Sequence, residues 1–228
     1  MELIHPIFKW LHVIAGIMWI GLLYFFNFIN TAFAPTMDGE TKKKVVPELM
    51  PRALYWFRMG AAWTWVTGVV LLYVIYWAGG MMPEDFTSND ITGEPANMSI
   101  HVLLLFTFVA VFLYDAIYKS PLASNVRAIT IVSFVLIGAY VFAMQKLGGF
   151  GYRAVNIHLG ALFGTNMAFN VWFRIWPAQQ KIISAIKIGE APDADLLALA
   201  GLRSKHNTYM SVPLVWTMHN QHHVTAPT

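Results

Sequence analysis

Long apolar runs alternate with short polar stretches along this chain, and five of the runs reach the length of a membrane span. They cover about residues 6–33, 54–78, 99–118, 128–144 and 152–176. Crossing the hydrocarbon core takes roughly 20 apolar residues in a helix. Lipid offers no partner to a backbone N–H or C=O, so each run must pair its own backbone, as a helix does. From Pro177 the pattern changes. Residues of about 178–205 are amphipathic and charged, with a break around Gly189–Asp193. This segment predicts one or two short helices on the inner membrane surface. The last stretch, about 207–223, holds Met210, Val212, Leu214, Val215 and Trp216 but is short and interrupted by Pro213. It predicts a short, re-entrant or partial helix. The expected fold is therefore all-α and integral to the membrane: one domain, residues 1–228, with five long transmembrane helices and a short carboxy-terminal helix.

Composition supports this reading and narrows the chemistry. Hydrophobic residues make up 57% of the 228, and only 12% are charged, against about 25% in soluble domains. The first run has no basic stretch ahead of it and no small-residue cleavage site, so no cleavable signal peptide is expected. There are no cysteines, which excludes disulfides, thiolate metal sites, iron–sulfur clusters and covalently attached c-type haem.

Charge gives the orientation. Lys42, Lys43, Lys44, Arg52, Arg58, Lys119, Arg127, Arg174, Lys181, Lys187, Arg203 and Lys205 fall on one side of the expected spans. Only Lys9, Lys146 and Arg153 fall on the other, together with the acidic loop of Glu84, Asp85, Asp90 and Glu94. Basic residues stay inside, so the amino terminus is expected outside a bacterial inner membrane. The net charge of +3 reports this topology and does not point to nucleic acid.

On that topology His12, His101 and His158 lie toward the outer side of three different spans. An ionisable residue inside a span is costly and defaults to a functional hypothesis, and imidazole is the usual axial ligand of b-type haem. His12 and His158 are the first ligand candidates and His101 the third. The simpler alternative is that each imidazole bonds a neighbouring carbonyl. One layer of histidines suggests one haem. Gly16, Gly160 and Gly164 leave room on the same helices for a porphyrin, or equally for close helix packing. Asn166 and Asn170, spaced i, i+4, share a face. With Arg58 they are candidates for a polar, anionic substrate, against the alternatives of interhelical bonding and a positive-inside flank. Arg203–Tyr209 is dense in hydrogen-bonding groups and reads as a solvated helix start with Asn207 or Thr208 as its cap. His219 and His223, also i, i+4, form a weaker metal candidate.

Four stretches carry a resemblance: WLHVIAGIMWIGLLYFFNF, RMGAAWTWVTG, NIHLGALFGTNMAFNVWFRIWPAQQKII and RSKHNTYMSVP. They resemble the membrane domain of the PuuD-type urate hydroxylases, from about Trp10 to Pro213. The first span alone is also similar to the His-bearing first helix of HemJ-type protoporphyrinogen oxidases and CopD-type proteins. The resemblance implies a membrane protein of urate oxidation, in a short form lacking the family's cytochrome c domain. The implied function is a haem-b oxidoreductase that passes electrons to a separate outer-side cytochrome c. The alternative is a non-catalytic haem-b or structural subunit of a respiratory complex, with other subunits of that complex as partners. A metal or small-solute transporter has only the carboxy-terminal histidines in its favour.

Overall fold

A computed structural model of the chain describes residues 3–78 and 99–220. Among these residues there is no strand, and helix is nearly continuous. The first helix, α1 (Ile4–Tyr24), runs on through a π-helical stretch, Phe25–Asn30, and two short turns, Thr31–Phe33 and Ala34–Thr36. Next come α2 (Gly39–Leu72), continued by the π stretch Tyr73–Trp77, and α3 (Ser99–Ile117). After α4 (Val126–Phe142) with its π stretch Ala143–Leu147 comes α5 (Tyr152–Asn170). The π stretch Val171–Ile175 leads directly into α6 (Trp176–Ile188), and α7 (Ala194–His219) closes the described chain.

Local chemistry sets the helix ends. Asp38 caps α2: the Thr41 amide donates to its Oδ1 at 2.8 Å and the Thr41 hydroxyl to its Oδ2 at 3.1 Å. Those bonds favour the ionised carboxylate, the amide bond most, and hold Asp38 below the usual carboxylate range. Asn125 caps α4 by accepting the Ala128 amide at 3.1 Å. Gly189, at φ +81°, ends α6 in the left-handed conformation, with Glu190 N–H bonding back to Ala185 O at 2.9 Å.

Three boundaries differ from the sequence expectation. The basic stretch Lys42–Arg52 is no loop: α2 passes through Pro47 and Pro51 without a break. Proline removes one N–H and crowds the turn before it, and α2 accommodates both prolines in its amino-terminal half. The fifth run does not stop at Trp176, since Pro177 sits in the first turn of α6, where its missing donor costs nothing. The carboxy-terminal segment is not a partial helix from about 207; it is the second half of the 26-residue α7, which passes through Pro213. The break around Gly189–Asp193 stands as expected.

The described residues fall into two compact units. The first comprises Met1–Val70 and Met167–Val212, the second Leu71–Asn166 and Pro213–Thr228. In the first unit α1 buries Ala15, Trp19 and Leu23, one residue per turn. It meets α2 where Phe26 packs edge-on to Phe57, 5.3 Å between ring centroids. Ala178 and Ile182 of α6 pack against Ala200 of α7. In the second unit α3 and α4 are joined by a bond between the Thr107 and Tyr140 hydroxyls at 2.7 Å.

The helices are apolar on the outside. Ile17 of α1 is 67% exposed and Phe134 of α4 is 72% exposed, among many large apolar side chains left uncovered. A water-soluble surface does not carry such faces; a lipid-facing one does. Among the described residues three helical stretches are long and apolar enough to cross a membrane: Ile4–Thr36, Gly39–Trp77 and Val126–Leu147. The five-span count is not reproduced by length and composition. The apolar part of α3, His101–Ile117, is shorter than a span. Helix α5 carries Arg153, Asn156, His158, Asn166 and Asn170, and it buries most of its length. A helix enclosed by protein needs no apolar surface.

Candidate functional site

His158 is fully buried, at 0% exposure. Its Nδ1 lies 2.7 Å from the Ala154 carbonyl, one turn back on α5. A carbonyl only accepts, so Nδ1 carries the proton and Nε2 the lone pair. The Trp77 indole N–H points at that lone pair from 3.4 Å. The Tyr76 and Phe150 rings stand edge-on to the imidazole, with centroids at 6.0 and 5.5 Å. The π stretch at the end of α2 brings Tyr76 and Trp77 to this place together, and such stretches recur at functional sites. Phe150 returns to α5 through a tight turn in which Gly149 has φ +65°. A side chain at Gly148 would strike the Phe150 ring at 2.6 Å.

His12 is held across helices rather than along its own. Its Nδ1 is 2.9 Å from the Thr64 carbonyl and 3.2 Å from the Thr67 hydroxyl, both on α2. Thr67 donates its own proton to the Trp63 carbonyl at 2.5 Å, so its oxygen accepts from His12. Nδ1 is again the protonated nitrogen. Among the described residues no hydrogen bond reaches His12 Nε2.

Both imidazoles therefore tie Nδ1–H to an oxygen, as a haem ligand does; Nε2 has no hydrogen bond among the described residues at His12 and faces the Trp77 N–H at His158. The donor set fits the group at His12. At His158 it fits if the Trp77 N–H gives way. His101 is exposed, near the start of α3. His219 is exposed at the end of α7, with Nδ1 donating to Val215 O at 2.8 Å. His223 lies outside the described residues. Among the described residues no three His, Asp or Glu side chains gather as a metal site.

The three glycines face side chains. A Cβ on Gly16 would lie 3.9 Å from Thr64 Cγ2, and one on Gly164 3.9 Å from Leu214. At Gly160 it would come within 2.7 Å of Thr217 Oγ1 and 2.8 Å of Met218 Cε.

The first unit also contains a buried polar seam. Asn170 Nδ2 donates to Asn207 Oδ1 at 2.9 Å, and Asn207 Nδ2 donates to Met167 O at 3.0 Å. Asn27 Nδ2 reaches Ser204 Oγ at 2.8 Å, and the Tyr24 and Ser211 hydroxyls bond at 3.0 Å. Arg203, on the same helix, is 2% exposed. Asn207 is thus no helix cap: it lies in the middle of α7 and is fully buried. The spacing Arg203, Asn207, Ser211 was a readable sign, since residues four apart share a buried face.

Among the substrate candidates, Asn166 has a buried Oδ1 without a hydrogen bond among the described residues. The Arg58 guanidinium lies 3.9 Å from the Trp176 ring centroid, with Trp172 at 5.9 Å and Tyr55 at 5.6 Å. Its Nε is buried without a hydrogen bond among the described residues, while the Trp172 indole donates to the Arg58 carbonyl at 3.1 Å. Asp115 pairs with Lys119 of its own turn at 2.8 Å. Trp19 is almost fully buried, with Nε1 unbonded among the described residues.

No curated protein and no solved structure matches the chain. A family model does, described as urate oxidase N-terminal, over residues 37–227. That range takes in α2 to α7 and with them the His158 shell and most of the polar seam. The chain belongs to the urate oxidase N-terminal family.

Proposed function

We propose that this chain is a membrane-bound haem-b oxidoreductase of urate oxidation, whose electrons leave to a separate cytochrome c on the outer side. It would sit in a bacterial inner membrane with five spans and its amino terminus outside. Family membership supports the urate-linked, membrane-bound part of this reading. The observation that carries the haem reading is the state of His12. Its Nδ1 proton is committed to Thr64 O and, among the described residues, no hydrogen bond reaches its Nε2, the state in which an imidazole would hold a haem iron.

A b-type haem held by such an imidazole would supply one-electron redox chemistry. The chain's own residues bind and orient. His12 and His158 are each candidates that would hold the haem iron, with His101 in reserve. Arg58 offers guanidinium donors beside Trp176 to an anion. Asn166 and Asn170 offer amide groups to a polar ring. The buried surroundings of His158, from Tyr76, Trp77 and Phe150, exclude water from that imidazole.

The test is the reduced-minus-oxidised absorption spectrum of the purified full chain, with His12→Ala and His158→Ala beside the wild type. A b-type band in the wild type, lost or shifted in the variants, is the expected result. A folded preparation without any haem band overturns the proposal.

A further inference from the structure

The His12 imidazole meets α2 at three successive points of one face. The Thr64 carbonyl and the Thr67 hydroxyl both face its Nδ1. Gly68 lies beside the ring: a Cβ placed there would stand 3.0 Å from His12 Cε1 and 3.4 Å from Nδ1. The Nδ1–Cε1 edge of the ring is thus seated on α2, and the Nε2–Cδ2 edge is turned away from it.

Each contact does something the others do not. The two oxygens decide which nitrogen is protonated. Thr67 is fully buried and gives its own proton to the Trp63 carbonyl, so it has only a lone pair to offer His12. A ring flipped about Cβ–Cγ would place a C–H against two acceptors and leave the buried Thr67 lone pair unused. Leaving a buried polar group without its partner costs about 1–3 kcal/mol. Gly68 supplies the room, because any other residue would put a carbon 3.0 Å from Cε1, a tight contact that the ring would have to shift by a few tenths of an ångström to relieve. Gly60, two turns earlier on α2, lets the helices come close enough: its Cβ would lie 3.1 Å from the Trp19 backbone N.

We propose that Thr67 and Gly68 are positioning residues that seat the His12 imidazole with Nε2 as its one available lone pair, so that α2 makes His12 ready to ligate. This deepens the reading of His12 as a haem ligand and rests on it for its purpose, though not for its geometry.

The experiment uses the full chain in detergent, with histidine labelled in 13C and 15N, first without haem. The side-chain nitrogen shifts of His12, assigned with His12→Ala, report the tautomer. Wild type is expected as the Nδ1–H form. Gly68→Ala and Thr67→Val are expected to give a mixture, and Thr67→Ser to restore the wild-type signal. The same proteins are then titrated with haem. Loss of a positioning partner typically weakens a metal site about 10- to 100-fold, and Gly68→Ala is expected to fall in that range with its helix content unchanged. A wild-type His12 protonated at Nε2 overturns the inference. So does an Nδ1–H signal that neither Gly68→Ala nor Thr67→Val disturbs. Haem that fails to bind a wild type with the Nδ1–H tautomer overturns the ligand reading alone and leaves the seating of His12 supported.

Discussion

At the scale of single residues, the interior is organised by polar groups that satisfy one another across long stretches of chain. The pair Asn170–Asn207 shows the consequence. Each amide is fully buried, and Asn207 ties Asn170 to the Met167 carbonyl. Interhelical polar contacts in membranes contribute about 0.6–2 kcal/mol, and orphaning a buried partner adds to the loss. Asn207→Leu is therefore expected to lower stability by about 1–3 kcal/mol, read by thermal unfolding in detergent. Adding Asn170→Leu to it should cost little more, because the orphaned amide is then gone. Two fully additive losses would show that the pair is not coupled. The histidines were legible in the sequence because an imidazole in an apolar run stands out. Their partners were not: Thr64 lies 52 positions from His12 and Trp77 lies 81 from His158, and no local pattern carries that pairing. Asn207 was read as a cap because polar residues beside an apolar run look like a helix start. The structure makes the same residues a buried stripe of a longer helix.

At the scale of the helix, close approach depends on which glycine is involved. At Gly60 an added Cβ meets the backbone of Trp19 at 3.1–3.2 Å, and backbone cannot step aside. At Gly16 the nearest atoms are 3.9–4.0 Å away, an ordinary contact. Gly60→Ala is expected to destabilise by about 1–3 kcal/mol through overpacking. Gly16→Ala is expected to be neutral or to stabilise by up to about 1 kcal/mol through helix propensity. Equal effects in unfolding experiments would contradict this account of the α1–α2 crossing. Sequence pattern found the apolar cores of the helices and the break at Gly189. It misplaced the ends at Pro47, Pro51, Pro177 and Pro213, because proline stops a helix only where its missing N–H and its ring have no accommodation. It also gave α5 the same standing as the lipid-facing runs, although α5 is largely buried and holds His158, Asn166 and Asn170 inside.

At the scale of the whole molecule, large apolar side chains of the described residues face outward while polar ones such as His158, Asn170 and Asn207 lie buried, an inversion of what water favours. That inversion follows from the solvent: lipid rewards apolar faces and leaves every interior hydrogen bond to be made within the protein. It was legible from composition alone. The family was legible too: the family match over residues 37–227 takes in three of the four stretches that carried the resemblance, all but the first-span one. The reaction is the part that neither pattern nor packing spells out, and one measurement addresses it. Oxidised, purified chain is mixed with a soluble cytochrome c, urate is added without oxygen, and reduction of the cytochrome is followed. The account predicts reduction that requires both urate and the chain, and that is lost with His12→Ala. A preparation with its b-type band intact that reduces no cytochrome c on addition of urate would contradict it.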